Sequence, residues 1–515
     1  MNYIANKIGN TLSQINRFHL PYWLIAIFVL VMIFRIPSFF EPYSYGDETT
    51  YLTLGTSISQ GKILYKDIFD HKPPLLYYLA FFAGNLFWFK VMLFFWSLIT
   101  IAFFWKLITV LFPITKDTSH EKKRQYTRLH KIATVIFAIL NTGPLLEGNI
   151  ANAENFMIGL NIIGFYILFA KKLNFKNIFV AGFLFSLAGL LKVPAFFDGP
   201  GVVFFWLIIN GIKDFKKTLK NTVYLAIGMI APVLVVLGWY TARGALSDFV
   251  TWGLLINFVY INAFRPVAEQ LPFLQKNAPL IMRGMLTLVG IFAMIPLRKR
   301  LSKQFIFITI WLFMTLFAVA LPERPYPHYL LQSIGPVSAL FAMLFALKTM
   351  EQVFVIIPLT AFFFVPFYYK VWYYSTVDYY QRFLEFAFNK VTREEYLENF
   401  GEHIPRAYKI AEFVMETTNE SDEIFVWGAE SQTVYALSRR TPPIRFVANF
   451  HIFDYSSTQE TLRIIEEKSP RLIIVLPNAP DFPHFDEFLE NKYVFIEEID
   501  DAKVYLESQK ILNNL

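Results

Sequence analysis

The sequence predicts an α-helical polytopic membrane protein with a small C-terminal α/β domain, and three observations carry that prediction. Hydrophobic residues make up 55% of the 515 residues and charged residues only 17%, with 57 phenylalanines. Several apolar runs exceed the ~18 residues that a membrane-crossing helix needs. After Tyr369 the pattern changes to charged segments of alternating helix and strand periodicity, with no long apolar run.

The elements follow in chain order. Residues 1–19 are polar, carry Lys7 and Arg17, and precede an apolar run (22–40) without a small-residue cleavage pattern. They read as a retained signal anchor with its N-terminus inside. Further spans are expected near residues 90–112, 131–146, 156–170, 178–196, 201–212, 222–240, 280–297, 304–321, 332–347 and 353–369, about eleven in all. Residues 75–88 are apolar but short, begin at Pro73-Pro74 and contain Gly84-Asn85. If they crossed, the basic segment 116–131 would lie outside. If they rest in the interface, that segment lies inside together with the basic loops 171–176, 213–220 and 298–303. The second choice satisfies the positive-inside rule at every loop. The formal charge of +7 then belongs to cytoplasmic loops rather than to a nucleic-acid surface, and the absence of cysteine excludes disulfides and thiolate-bound metals.

The chain thus divides into a transmembrane part, 1–369, and an extracytoplasmic α/β domain, 370–515. Within the latter, helices are expected at 404–417 and 458–468, strands at 423–428 and 471–477, and a terminal hairpin from 492–500 and 503–508 around Asp500-Asp501. No Gly-rich phosphate loop follows these strands, so no nucleotide is implied.

The topology gathers the loops 45–88, 147–155, 197–200, 242–279 and 322–331 on the outer side. The first of them, YGDETTYLTLGTSISQGKILYKDIFDHKPP (45–74), is dense in ionisable groups: Asp47, Glu48, Asp67, Asp70, His71 and Lys72. Acidic residues beside a bilayer are costly unless they face water, a partner or a substrate. Tyr51, Leu54 and Ile58 repeat at helical spacing, with Gly46-Asp47 as a start and Gly61 as a stop. Asp47 is then either a bare helix cap or a functional carboxylate. Glu147 and Glu154 stand in the second outer loop, Glu154 directly before a span. Lys192, near the outer end of a span, reaches an anionic headgroup or merely snorkels to the interface. The loop PERPYPHYLLQ (322–332) carries Arg324 and His328 between prolines, and both suit phosphate. The long loop 242–279, with Trp252, Tyr260 and Arg265, is a candidate wall for the substrate path. A carboxylate base beside cations at an outer membrane surface suits group transfer from a lipid phosphate to a hydroxyl or amine.

The first loop resembles that of the glycosyltransferase C superfamily: Gly46-Asp47-Glu48, then Gly61, Tyr65 and Lys72-Pro73-Pro74. The nearest branch is that of bacterial protein O-mannosyltransferases and the lipid A aminoarabinose transferases. Glu154 stands at the second-loop acidic position of that family. Arg324-x-x-x-His328-Tyr329 is similar to its late outer-loop motif, and VWG (426–428) with SRRTPPIRF (438–446) to its soluble domain. The resemblance implies a polyprenyl-phosphate sugar as donor, attacked with inversion. Asp47 would be the base, with Glu48 and Glu154 supporting the site. Lys72 and Arg324 would hold the donor phosphate, with His71, Tyr65, Lys192 and His328 as further substrate contacts. The acceptor would be a lipid, glycan or protein outside the cytoplasmic membrane, and no nucleic acid is involved. His71 departs from the glutamate that the aminoarabinose transferases carry before Lys-Pro-Pro, which leaves a divalent metal there open and makes lipid A a less secure acceptor. A transporter or flippase would instead place charges mid-span in symmetry-related halves. A non-catalytic scaffold, with the C-terminal domain binding a partner, is the other alternative.

Overall fold

A computed structural model describes residues 20–257, 272–477 and 479–508 of the chain. The N-terminal segment 1–19 and the loop residues Tyr260 and Arg265 lie outside the described residues.

Among the described residues, nine helices are long and apolar enough to cross a membrane: Tyr22–Phe40, Leu86–Leu111, Ala153–Ala170, Val193–Asn210, Phe215–Ala242, Ala278–Leu297, Lys303–Ala320, Pro327–Ala346 and Glu351–Tyr368. The shorter apolar helix Phe175–Gly189 and the helix His120–Thr142 fill the two remaining places in the expected series. The protein is a multi-pass membrane protein of the predicted class. One difference concerns the basic segment, which is not a loop. Helix His120–Thr142 starts at the N-cap Ser119 and carries the charged residues on its first turns before it becomes apolar.

The short apolar stretch 75–88 divides at Gly84. Leu75–Ala83 forms a nine-residue helix. At 1.5 Å per residue it is ~14 Å long, less than half a bilayer core. Gly84, with φ 72°, ends it in the left-handed region that suits glycine. The Asn85 side chain then accepts from the Trp88 backbone N–H at 3.0 Å and starts the 26-residue helix Leu86–Leu111. Leu86, Phe87 and Trp88 therefore belong to the second span, four residues earlier than its expected start at Lys90.

The first-loop helix Gly46–Ser59 is buried on nearly every side. It packs on Leu75–Ala83 beneath and on helix Ser431–Ser438 above. At Gly55 the contact is so close that a Cβ would stand 2.7 Å from the Phe81 backbone nitrogen. The turn after the helix uses Gly61 at φ 91°, as its sequence position suggests.

The C-terminal sheet has four strands: β1 (Ile424–Trp427), β2 (Leu472–Val475), β3 (Tyr493–Ile499) and β4 (Ala502–Glu507). Their order is β1-β2-β4-β3, with β1 and β2 parallel and the other pairs antiparallel. The helices Ser431–Ser438, Asn449–Tyr455 and Thr458–Lys468 make the crossover between the parallel strands. This unit sits on the first outer loop. Phe69 N–H donates to the Arg445 carbonyl at 2.9 Å, and Lys62 Nζ lies 2.6 Å from Glu423. At the opposite end of the bundle the basic connections meet, with Lys348 paired to Glu121 and Arg298 donating to the Ile208 carbonyl.

The β3–β4 turn places Asp500 and Asp501 at φ 46° and 66°. A two-residue turn of this hand favours glycine at its second position. Asp501→Gly should stabilise the hairpin by up to about 1 kcal/mol, read as slower amide exchange along β3 and β4.

Candidate functional site

Four parts of the chain surround a cavity of about 630 Å³ at the end where the acidic loops converge. The first loop supplies Asp47, Asp70, His71 and Lys72, and the second supplies Glu147. The late loop supplies Arg324, Tyr326 and His328, and the start of the C-terminal part, after the last span, supplies Trp372 and Tyr374. The C-terminal unit closes the cavity from above with Gln432, His451 and Asp454.

Asp47 is in the first turn of its helix, but it is not the cap: Tyr45 holds that position. Its carboxylate instead accepts from Tyr51 Oη at 2.8 Å and faces Lys72 Nζ at 3.5 Å, with 38% of the side chain exposed to the cavity. Burial opposes its ionisation. The Lys72 and His328 charges outweigh that penalty and, with the Tyr51 hydrogen bond, hold Asp47 below the ordinary aspartate range. Lys72 is fixed from several sides. Its Nζ lies 3.7 Å from Asp70 and 4.9 Å over the Tyr51 ring, its backbone N–H donates to Tyr77 Oη at 3.1 Å, and its carbonyl accepts from Tyr65 Oη at 2.7 Å. Tyr65, at φ 72° and fully buried against Tyr240 and Phe249, thus supports the lysine turn from below and does not line the cavity.

On the other side of the cavity, His328 Nδ1 and Tyr45 Oη both bond the Glu147 carboxylate, the tyrosine at 2.6 Å. His328 Nε2 lies 3.7 Å from Glu154, and Glu154 pairs with Lys192, whose Nζ stands 3.8 Å over the Tyr329 ring. Lys192 therefore does not snorkel to solvent. Glu154 and Lys192 form a buried pair behind His328.

Glu48 turns away from the cavity. It accepts from the Ala151 N–H at 2.6 Å and meets Lys90 Nζ at 2.8 Å. Lys90, with no exposed side-chain surface, also pairs with Glu41 at 2.7 Å and donates to the Asn149 carbonyl at 3.0 Å. Tyr379 and Asn149 complete the shell around Glu41. This network ties the first loop to the second. Arg324 lines the cavity, and its neighbour Glu323 pairs with Arg283. Trp252 packs under the C-terminal unit, 5.2 Å from the Phe69 ring and 6.1 Å from that of Tyr455.

Among the described residues, one group of side chains can hold a divalent metal. Donor atoms of Asp70, His71 and His451 all lie within 4.8 Å of one another. Two nitrogens and an oxygen suit a zinc-class ion. His451 Nδ1 is buried without a hydrogen-bond partner, as a ligand nitrogen would be. Burial pushes His451 down to about 4, so the neutral, ligating form prevails at neutral pH. The Lys72 ammonium beside Asp70 is the competing charge for that carboxylate.

No family model matches the chain, and no curated protein matches it by sequence. Solved structures do. The crystal structure of ArnT from Cupriavidus metallidurans bound to undecaprenyl phosphate superposes with a TM-score of 0.56 at 12% identity, over 94% of this chain and 97% of that one. Its apo form matches equally. The chain has the ArnT fold. Archaeal oligosaccharyltransferase AglB from Archaeoglobus fulgidus matches at a TM-score of 0.43 and 12% identity, over 88% of this chain and 69% of AglB, too distant to add to the argument. The ArnT fold agrees with the helical membrane architecture that the sequence predicts, whereas nothing in overall sequence similarity signals it.

The ArnT-like bundle brings Asp47, His71, Lys72, Arg324 and His328 to one cavity, with Glu154 and Lys192 one contact behind and Glu48 and Tyr65 in its supports. Sequence reasoning missed Tyr45, Glu147, Gln432, His451 and Asp454 as cavity residues. Glu147 stood in an outer loop and was legible as a candidate. The other residues carry no such signal. The buried Lys90 network gives a stability test. Lys90→Ala leaves Glu41 and Glu48 facing each other unpaired and should cost about 3–5 kcal/mol, read as a lower melting temperature in detergent. Lys90→Arg should recover part of it.

Proposed function

We propose that this protein is an integral membrane glycosyltransferase that moves a sugar from a polyprenyl phosphate to an acceptor at the outer face of the cytoplasmic membrane. In this reading residues 1–369 carry the transfer and residues 370–515 form an outer-side domain that completes its cavity. The observation that carries the proposal is the meeting of a carboxylate held in its basic form with a fixed lysine, Asp47 and Lys72, at the rim of a water-accessible cavity. Undecaprenyl phosphate bound in ArnT, which shares the fold, supports the donor class.

The chemistry is a displacement at the anomeric carbon. Asp47 takes the proton of the acceptor hydroxyl or amine as the acceptor–carbon bond forms. The bond from the anomeric carbon to the phosphate oxygen breaks on the opposite face, which inverts the configuration. The leaving group is a polyprenyl phosphate whose added negative charge is met by Lys72 and Arg324. Glu147, His328, Glu154 and Lys192 form the facing wall, with His328 presented to the donor. Glu48 acts through position: by holding the Ala151 N–H it fixes the second loop against the Asp47 helix. Asp70, His71 and His451 would hold a metal that supplies further positive charge for phosphate. The acceptor class is a lipid, a glycan or a protein. The alternatives of transport and of a scaffold find less support, because the charged side chains concentrate at one cavity at the outer loops.

Three outcomes test the reading. Asp47→Asn, folded to the wild-type melting temperature, should lose about 10²–10⁴-fold in transfer from an undecaprenyl-phosphate sugar, and full activity would remove Asp47 as base. Because its pKa is depressed, the acid limb of the pH–rate profile should fall below the usual aspartate range. Lys72→Gln removes the favourable charge, raises the pKa and should move that limb to higher pH. The chain has no cysteine, so single introduced cysteines report sidedness. Ser59→Cys should react with an impermeant maleimide in intact cells and Lys213→Cys only after permeabilisation. The reverse pattern would place the cavity in the cytosol.

A further inference from the structure

At the end of the bundle opposite the candidate site lies a second cavity, of about 700 Å³, that the proposed transfer does not use. It opens where the connection after Leu111, the loop before Lys303 and the loop 347–350 meet. Lys122, Arg300 and Lys348 line it, with Ser119, Gln125 and Thr349 between them. The acids in this cavity are engaged. Glu351 accepts from the backbone and hydroxyl of Ser302, and Glu121 pairs with Lys348 at 3.4 Å. Lys122 extends over the Tyr126 ring. Among the described residues, neither it nor Arg300 has a carboxylate within ion-pair distance. Ser119 caps the 23-residue helix His120–Thr142, whose dipole adds partial positive charge at the same place. Three cations and two carboxylates therefore line this cavity, and the excess positive charge suits an anion.

Apolar surface continues from this cavity along the bundle. Phe112, Leu301, Leu347 and Met350 complete its walls, and Met350 is 63% exposed. The helix before the 347–350 loop, Ile334–Ala346, and the helix Ile356–Tyr368 beyond Glu351–Phe354 enclose a lateral groove of about 580 Å³ lined by Phe341, Leu344, Ile356, Leu359, Phe363 and Phe367. From Ile356 to Phe367 the helix rises ~16 Å, about half of the ~30 Å hydrocarbon thickness and so the depth of one leaflet. A headgroup-sized basic cavity thus shares its helix pair with an acyl-chain-deep apolar groove.

We propose that this end of the protein binds one anionic phospholipid of the adjoining leaflet, with its phosphodiester between Lys122 and Arg300 and an acyl chain along the phenylalanine groove. Charge complementarity selects the headgroup, and the groove distinguishes a lipid from free phosphate. The occupied helix pair also leads to the candidate site: the segment Pro327–Ala346 carries His328 in its first turn, and Trp372 stands four residues after Tyr368. The lipid would therefore brace the two elements that carry one wall of that cavity.

Native mass spectrometry of the full-length protein in detergent, with dioleoylphosphatidylglycerol and dioleoylphosphatidylcholine added in equal amounts, tests the proposal. The expected result is preferential retention of a single phosphatidylglycerol, reduced roughly fivefold for each cation removed in Lys122→Gln and Arg300→Gln. Phe363→Ala should weaken retention of both lipids without changing their ratio. Equal retention of the two lipids would overturn the proposal, and so would an undiminished preference in the double variant. Inorganic phosphate raising the melting temperature as much as phosphatidylglycerol does would also overturn it, by assigning the cations to a free anion. All variants lie remote from the candidate site and are checked for wild-type monodispersity.

Discussion

The end of the bundle that carries the candidate site is tied together by one buried lysine. Lys90 enters the structure at the start of the second span, where its charge has no access to water, and is stabilised only because Glu41, Glu48 and the Asn149 carbonyl converge on it. Those groups come from the end of the first span, the first-loop helix and the second loop. Tyr379 joins them from the far side of the last span. An unpaired charge at that depth would cost several kcal/mol, so the four segments cannot separate without exposing it. The position of Asp47, one residue before Glu48, follows from that lock.

The cavity is built on the same logic with opposite emphasis. Around Lys90 one ammonium is buried between two carboxylates. Around Lys72 the matching is looser: Asp47 stands 3.5 Å away and Asp70 3.7 Å away, and the Asp47 side chain keeps a substantial exposed surface. Rigid support lies underneath, in Tyr65, Tyr77 and Tyr51, whose hydroxyls hold the lysine backbone and the two carboxylates. The lysine is thus held by its main chain, and its ammonium stands between Asp47 and Asp70 at the edge of the cavity.

Much of the fold was legible in the sequence, because membrane helices announce themselves by length and hydropathy and basic loops by charge. That Leu75–Ala83 does not span followed from its shortness together with those charges. The first-loop residues were legible because an acidic pair and a Lys-Pro-Pro turn are unusual beside a bilayer. Other features were not. Lys90 and Glu41 read as span ends, since their pairing crosses 49 residues of chain. Helices Ser431–Ser438 and Asn449–Tyr455 are eight and seven residues long, too short for a clear periodicity, yet they bring Gln432, His451 and Asp454 to the cavity. The turn of Glu48 away from Asp47 is a helical fact, since neighbours in sequence point about 100° apart. Which of the two faces the cavity is decided by tertiary packing.

The C-terminal unit that closes the cavity follows the helical bundle in the chain. At Gly46, the residue before Asp47, a Cβ would approach Gln432 Nε2 to 3.2 Å, so the closing helix rests almost directly on the backbone that starts the site. In a chain made from its N-terminus, the first-loop floor therefore precedes the helix that covers it. A chain cut before Ser431 would leave the Asp47 helix without the surface on which helix Ser431–Ser438 packs.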